Sequence, residues 1–484
     1  MKQRRPWILV SIIVVVILVA SLSVYLLLNR HNTPSIAKLY SVADGQGGVV
    51  ALWSYKNGGT GGSRLSGNGE LAWFQDNPAN TTEKARILDM VSDGQGGVLF
   101  SWFDMEKIDT SNPYKSIPVF VQRLSAEGEP LWGSGIPAGS ADGIALANTD
   151  LLSTPRIESD KGGGLYIVRP DNQGLYLEKV DPAGKQLWQK CITPESLPAN
   201  GGVEITADGA GGLIIIAREN TGNYRFNIAA QRYDSEGQPI WVDGGIKLYS
   251  DWHVIPPFQG DGNGNLFFND IVIPQTFSAN YSGKDSEKNF VAVQYLHGDG
   301  RLHWPSPGIT IRKTNSMPGS PSLAIHDTSA ATVFWTESPS GGPFTKDSLH
   351  AVRIDDNGEV IWQNDSVFSA GKGQIVSEIV ACNSRDRTFL AWRTGKWRSW
   401  ETGGEIQLQI LDENGVTIRE SAFDVFPSTL KYQSSPYIFE DGYGGVIIIS
   451  IVGKNHSQGD MVYAQRLNAS GQPLWGTNGI RLNP

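Results

Sequence analysis

Short runs of acidic residues and glycine are the first candidates for chemistry in this chain of 484 residues. Two examples are 260–264 (GDGNG) and 355–358 (DDNG), whose carboxylate and amide oxygens are ligands that Ca²⁺ prefers. Neither run is followed by the bidentate glutamate that a calcium loop requires, and both lie where a turn is expected. We interpret them as turns and expect no metal site.

A recurring glutamine, six residues before a glycine, is a second candidate because its amide could line a pocket. The same amide could instead satisfy buried backbone groups inside the fold. We favour the structural role and leave the pocket role open. The residues are Gln122, Gln231, Gln294, Gln409 and Gln465.

Tryptophans in a polar, glycine-bounded insertion, 393–404, are the third candidate. Aromatic rings in such a loop offer stacking platforms for a sugar or a peptide. The insertion 270–288 carries two further rings, and a third insertion spans 103–117. The alternative is that these rings fold back over neighbouring strands. The predicted ligand-binding residues are Trp397, Trp400, Lys396, Arg398, Phe277 and Tyr281.

A regular repeat must position these residues. Eight times a glycine is followed four positions later by a large side chain, at intervals of 53 to 63 residues. The seventh copy has Arg419 in place of tryptophan. A period near 57 residues is typical of one four-stranded blade of a β-propeller. The tryptophans given this structural role are Trp73, Trp132, Trp188, Trp241, Trp304, Trp362 and Trp475.

Each repeat has the elements of a blade. A turn of the form Asp-x-x-Gly-Gly joins the first two strands, since aspartate binds the amides ahead and glycine adopts the left-handed conformation. An apolar second strand such as 49–53 (VVALW) follows, then a third strand, and the glycine-to-tryptophan segment is predicted to be the fourth. The sequence therefore predicts an all-β, eight-bladed propeller of four-stranded antiparallel blades, whose first and last blades meet by packing alone.

The N-terminus predicts a membrane anchor. Residues 7–28 carry no charge and are long enough to cross a hydrocarbon core of about 30 Å. Basic residues concentrate before the segment, which places the N-terminus in the cytoplasm. We predict a cytoplasmic basic tail (1–6), a single transmembrane signal-anchor helix (7–28), a tether (29–35) and an extracytoplasmic propeller (36–484). A cleavable signal peptide is the alternative.

Composition excludes several classes of function. The net charge of -9 and the absence of a long basic run argue against nucleic-acid binding. The two cysteines, Cys191 and Cys382, fall almost opposite each other in an eight-bladed ring, so we expect isolated thiols. The seven histidines lack metal-ligand spacing. We expect no cofactor.

The repeat core, DGxGGvxxxW followed by QRLxxxGxxLWxxxGI, resembles bacterial cell-surface β-propeller repeat proteins over 36–484, and 466–480 (RLNASGQPLWGTNGI) resembles the Delta-60 type. This resemblance implies a cell-surface or envelope location. The repeats are more distantly similar to the tryptophan-docking propellers of quinoproteins. There the acidic residue lies four before the glycine, whereas Asp181, Asp234 and Asp355 lie three before it here.

Two functions remain open. Because no nucleophile–base or metal motif is found, we favour a non-enzymatic binding or scaffold module for protein or glycan in the cell envelope, bound to the membrane by its N-terminal helix. The loops between second and third strands vary most and predict the binding face. The alternative is an enzyme, a glycan-active hydrolase or lyase or a divergent quinoprotein, with carboxylates gathered at the central channel. Paired carboxylates about 5 to 10 Å apart in the channel mouth would favour the enzyme, and an apolar or sterically closed channel would disfavour it.

Overall fold

The computed structural model of this protein shows eight antiparallel sheets in a closed ring, the predicted eight-bladed propeller. Within the described residues, no helix is both long and apolar enough to cross a membrane. The predicted anchor, 7–28, lies outside the described residues. The described residues are 35–78, 82–107, 118–133, 135–138, 155–171, 174–193, 197, 199–222, 225–252, 258–272, 289–306, 308–327, 330–338, 347–369, 374–396, 404–453 and 459–483.

The first four blades are consecutive four-stranded sheets. Blade 1 is β1 (Ile36–Ala43), β2 (Val49–Tyr55), β3 (Thr60–Leu65) and β4 (Leu71–Asp76). Blade 2 is β5 (Ala85–Ser92), β6 (Val98–Asp104), β7 (Val119–Leu124) and β8 (Ile136–Ala138), with a 3-10 turn at Met105–Lys107. Blade 3 is β9 (Arg156–Ser159), β10 (Leu165–Asp171), β11 (Gly174–Val180) and β12 (Gln186–Ile192). Blade 4 is β13 (Val203–Ala207), β14 (Leu213–Gly222), β15 (Arg225–Tyr233) and β16 (Ile246–Trp252).

The last four blades continue the series, and blade 8 has its inner edge divided between two short strands. Blade 5 is β17 (Phe258–Gly260), β18 (Leu266–Val272), β19 (Asn289–Leu296) and β20 (Ile309–Thr314). Blade 6 is β21 (Met317–Asp327), β22 (Ala330–Ser338), β23 (Ser348–Asp355) and β24 (Val360–Ser369). Blade 7 is β25 (Gln374–Ser384), β26 (Arg387–Lys396), β27 (Glu405–Leu411) and β28 (Phe423–Asp424). Blade 8 is β29 (Tyr432–Gln433), β30 (Tyr437–Glu440), β31 (Val446–Gly453), β32 (Met461–Leu467) and β33 (Ile480–Arg481).

The ring has a central channel and two faces. First strands of neighbouring blades contact one another, for example β1 with β5 and β5 with β9, so first strands line the channel. The turns between first and second and between third and fourth strands share one side, here named the turn face. The connections between second and third strands leave the opposite side, here named the loop face. The core lies between sheets, where second strands such as β31 are buried along their whole length.

The Asp-x-x-Gly-Gly turns are held by one aspartate with two functions. Asp93 Oδ1 accepts the amides of Gln95 and Gly97 at 2.8 Å each, which closes the turn. Its Oδ2 is 2.9 Å from Nη2 of Arg123 on the third strand, and both side chains are buried. Each turn is thereby locked to its blade. Equivalent pairs are Asp44 with Arg64, Asp160 with Lys179, Asp208 with Arg232 and Asp441 with Arg466.

The repeat tryptophans join each blade to the next. Trp73 Nε1 donates to the carbonyl of Ala126 at 3.0 Å, and a Cβ on Gly128 would lie 2.9 Å from the indole ring. Only glycine leaves room for this ring, and the glycines at 69, 184, 237, 300, 358 and 415 meet a repeat tryptophan in the same way. In the seventh blade, Arg419 takes the same place and donates from Nη1 to the carbonyl of Gly471 at 3.2 Å. The same indole-to-carbonyl bond is made by Trp132, Trp241, Trp362 and Trp475.

The prediction that the glycine-to-tryptophan segment forms the fourth strand is correct in three blades and wrong in five. Trp73, Trp188 and Trp362 lie in β4, β12 and β24. In the other five blades the segment makes one isolated bridge, and the fourth strand starts after the large residue. In four of the five, glycine or proline follows the tryptophan closely and interrupts the strand.

The ring closes between complete blades, without an exchanged strand. The closure is not by packing alone, because the side chains of three blade 8 residues donate hydrogen bonds to blade 1. Tyr437 Oη donates to the carbonyl of Leu39 at 2.7 Å, and Arg466 Nη1 donates to that of Gly67 at 2.6 Å. Trp475 Nε1 also donates a hydrogen bond to the Gly67 carbonyl, at 3.2 Å. The first and last blades are therefore joined as any other pair is.

Candidate functional site

The predicted loop residues lie in segments that begin and end at the loop face. Lys396 is the last residue of β26, and its backbone pairs with Gln374 of β25. The ligand-binding role of this set stays a prediction. Trp397, Arg398, Trp400, Phe277 and Tyr281 lie outside the described residues.

The recurring glutamines are engaged inside their own blades. Gln122 Oε1 accepts the amides of Trp132 at 3.0 Å and Arg123 at 2.9 Å, while its Nε2 donates to Gly133 at 2.9 Å. The side chain is fully buried and holds the tryptophan segment against the third strand. Gln231 and Gln465 each bond the tryptophan ten residues ahead in the same way. These amides therefore have a structural role.

Side chains on the first strands form a group that the motif search missed. At the position four residues before the turn aspartate, five consecutive blades around the ring carry an ionisable residue. Because these strands line the channel and alternate side chains share a face, the five side chains lie at one level of the channel. We name this set the channel cluster: Tyr437, Tyr40, Asp89, Arg156 and Glu204.

An ion pair between blades 3 and 4 forms one part of the channel cluster. Arg156 Nη2 lies 2.6 Å from Oε1 of Glu204, and Arg156 Nε donates to the carbonyl of Val203 at 3.3 Å. Arg218 of β14 approaches the same carboxylate at 3.5 Å, and its buried Nε has no hydrogen-bond partner. Arg156 and Glu204 remain about a quarter to a third exposed, so the pair is open to solvent.

Asp89 connects blades 2 and 3 beside that ion pair. Its Oδ2 accepts the amide of Ile157 at 3.1 Å, and its Oδ1 accepts the amide of Met90 at 3.0 Å. Burial raises the pKa of the Asp89 carboxyl, while the positive charge of Arg156 opposes that rise. The carboxyl is therefore held by backbone amides in a place that disfavours its charge.

Tyr40 and Lys38 of blade 1 lie on this side of the channel. Tyr40 Oη lies 2.8 Å from the carbonyl oxygen of Leu88 in blade 2. Lys38 Nζ lies 4.6 Å from the centre of the Tyr40 ring, a cation–π contact. Burial, followed by the charge of Arg156, lowers the pKa of Lys38. The channel cluster, with Lys38 beside it, therefore offers cationic donors next to carboxylate acceptors.

Glu158 lies two residues after Arg156, on the same face of β9 and nearer the turn face. Burial raises the pKa of its carboxyl to about 7, although backbone amides of Ser159 and Ala207 oppose the shift. Glu204, by contrast, is paired with a guanidinium. The channel thus holds one carboxyl, that of Glu158, that releases its proton close to neutral pH.

A histidine pair and a groove are two further places with groups that could carry chemistry. His297 Nε2 lies 2.8 Å from Nδ1 of His303, so the two rings bond to each other. Among the described residues, no three His, Cys, Asp or Glu side chains are placed to share a metal ion. A groove of about 470 Å³ opens where blades 1 and 8 meet. Its lining includes Tyr55, Phe74, Asp76, Glu83, Asp460 and Asn483.

A sequence signal for the channel cluster existed. Counting back from each turn aspartate, the fourth residue is polar or aromatic in blades 1 to 4 and 8, where an alternating strand would place apolar residues toward a closed core. The position gains meaning only once the first strands are known to surround a channel. Before that, five scattered residues have no visible relation to one another.

No protein-family model and no curated protein matches this chain. Solved structures resemble it at low identity. A prolyl endopeptidase structure is 10% identical in sequence, with a TM-score of 0.46; the match covers 87% of this chain and 54% of the endopeptidase chain. An ulvan lyase of polysaccharide lyase family PL25 is 9% identical, with a TM-score of 0.42; the match covers 78% of this chain and 91% of the lyase. Penicillium chrysogenum α-L-arabinanase in complex with arabinobiose is 12% identical, with a TM-score of 0.36; the match covers 66% of this chain and 93% of the arabinanase. The assignment of this fold rests on its own eight sheets.

Proposed function

We propose that this protein is a membrane-anchored, extracytoplasmic propeller that binds a protein or glycan of the cell envelope in its channel. The observation that supports this most is the channel cluster, whose charged groups come from separate blades. Arg156 pairs with Val168 and Glu204 with Ile216, both inside their second strands, so the channel cluster lies part of the way down the channel. Trp397 and Trp400 fall between β26 and β27 in the sequence, in a connection between second and third strands, and remain predicted members of the site.

The chemistry of the cluster supports a polar ligand. Arg156 and Lys38 supply charged donors, and Glu204 and Asp89 supply acceptors, all partly open to solvent. Hydrogen bonds to charged groups contribute about 1.5 to 3 kcal/mol each. A hydroxyl-rich sugar or a polar peptide segment can use donors and acceptors together. The envelope location follows from the anchor predicted at 7–28 and from the resemblance to cell-surface repeat proteins.

The test compares two arginine variants of the full chain in detergent. Arg156→Gln removes the charge at the channel, whereas Arg301→Gln is the matched control because Arg301 is exposed on the turn face. Both are assayed on an array of bacterial envelope glycans and against solubilised envelope proteins. We expect Arg156→Gln to weaken a wild-type interaction about 10- to 100-fold, as the loss of one charged hydrogen bond implies. Equal binding by both variants would exclude the channel as the site.

An enzyme acting on glycans is the second candidate, and one observation favours it. Burial raises the pKa of Glu158 to about 7, which suits a general acid acting on a glycosidic bond, and Glu204 of the neighbouring blade supplies a second carboxyl. Glu158→Gln should then abolish turnover of an envelope polysaccharide and leave its binding intact. The absence of turnover with every polysaccharide bound by the wild type would count against catalysis.

A further inference from the structure

The chain enters the propeller at the loop face, and its entry point is held in place. Lys56 N, at the loop-face end of β2, donates to the Ser35 carbonyl at 2.8 Å. Ile36 N donates to the carbonyl of Gly459 in blade 8 at 3.3 Å. The position of Ser35 is therefore defined by both blades at the seam. Only 29–34 separates it from the predicted anchor, 7–28.

The tether is short compared with the propeller. Six residues, 29–34, span at most about 21 Å when fully extended. A route from Ser35 over the outer edge to the turn face crosses three strand spacings and descends along β4, about 34 Å in total. A route through the channel follows β1 for about 26 Å and meets the channel cluster. Neither route can be covered by the tether.

We propose that the loop face, with the channel mouth, is held toward the lipid bilayer and that the turn face points away from it. This inference rests on the anchor in the proposed function. The channel then samples only groups close to the bilayer surface, so its ligand is membrane-proximal. The partner surface of the loop face is the lipid headgroup layer itself.

Energy transfer to labelled lipid tests the orientation of the full chain in vesicles. In a Cys191→Ser background, Asn57→Cys places a fluorophore at the loop face and Gln46→Cys places one at the turn face of the same blade. Both residues are exposed. Transfer from residue 57 should exceed that from residue 46 by about twofold, because the length of β2 separates them by about 23 Å. Equal or reversed transfer overturns the orientation.

A lengthened tether provides the matched control. Inserting about 20 Gly/Ser residues after Arg30 adds roughly 25 Å of average reach and should make the two transfer values converge. A difference that persists after insertion would show that the tether is not its cause and would overturn the argument from length. Flotation separates the two hypotheses: a full-length chain that does not float with vesicles lacks the anchor, and then the proposed location fails as well.

Discussion

The indole Nε1 of Trp475 donates a hydrogen bond of 3.2 Å to the carbonyl oxygen of Gly67, which lies 408 residues earlier in the chain. The same ring would lie 2.6 Å from a Cβ on Gly69. This contact repeats, across the closure of the ring, the contact that joins consecutive blades. The last blade therefore meets the first through the device that the repeat provides everywhere.

Removing that ring should destabilise the closed propeller. We expect Trp475→Ala to lower the free energy of unfolding by about 3 to 5 kcal/mol, the range for deletion of a buried aromatic side chain. The neighbouring Leu474 is 49% exposed, and Leu474→Ala is the control with an expected effect within about 0.5 kcal/mol. Denaturant unfolding measures both. Similar losses in the two variants would show that the seam does not depend on the indole.

Replacing a turn aspartate should cost more stability where the aspartate pairs with a buried cation than where it only closes the turn. Asp93→Ala removes two amide bonds and leaves Arg123 buried without its carboxylate, which costs about 3 to 5 kcal/mol. Asp181 accepts the amides of Ala183 and Lys185 at 2.9 and 2.8 Å in a solvent-exposed turn, so Asp181→Ala removes the capping bonds alone.

We expect Asp181→Ala to cost about 1 kcal/mol, as loss of a local cap does. Thermal and denaturant unfolding of the two variants measure the difference. If both variants lose the same amount, the ion pair contributes nothing beyond the turn bonds.

Glu158 should make stability depend on pH. Its folded-state pKa of about 7 lies above the ordinary value of 4.5, so the native state binds the proton more tightly than the unfolded state. The stabilisation is present below pH 4.5 and is lost as pH rises through 7. Glu158→Gln should therefore show a smaller loss of stability between pH 5 and 8 than the wild type.

The control for this pH series is Glu129→Gln at an exposed turn-face position. Urea midpoints at several pH values should follow the wild type in this control. A wild-type slope retained in Glu158→Gln would assign the pH dependence to other groups.

The two free thiols should react very differently. Cys191 is exposed, whereas burial, followed by the charges of Glu440 and Asp441, raises the pKa of the Cys382 thiol to about 12. Alkylation of the native protein at pH 8 should modify one cysteine per chain, and alkylation in denaturant should modify two. Mass spectrometry of the peptides identifies the site. Rapid native labelling of Cys382 would contradict its burial.

The hydrogen bonds within a turn could be predicted from the sequence, whereas contacts between distant strands could not. The turn at Asp93 was predicted from Asp-x-x-Gly-Gly because its hydrogen bonds span four residues. Its partner Arg123, 30 residues away, was not predicted, since the pairing depends on the register of three strands. In four of the five blades where the fourth strand was misplaced, Gly or Pro closely follows the tryptophan and favours a turn over a strand.

The sequence alone determined the blades, their size and their number. A glycine and a large side chain at a fixed spacing form a one-dimensional pattern, and the contact behind it is made by an indole in seven blades and by Arg419 in the remaining one. Only the tertiary structure decided which residues meet at the channel. Asp89 contacts a strand 68 residues later, and Arg156 pairs with Glu204 across 48 residues. Closing the ring brings these side chains together, because it places separate first strands around one axis.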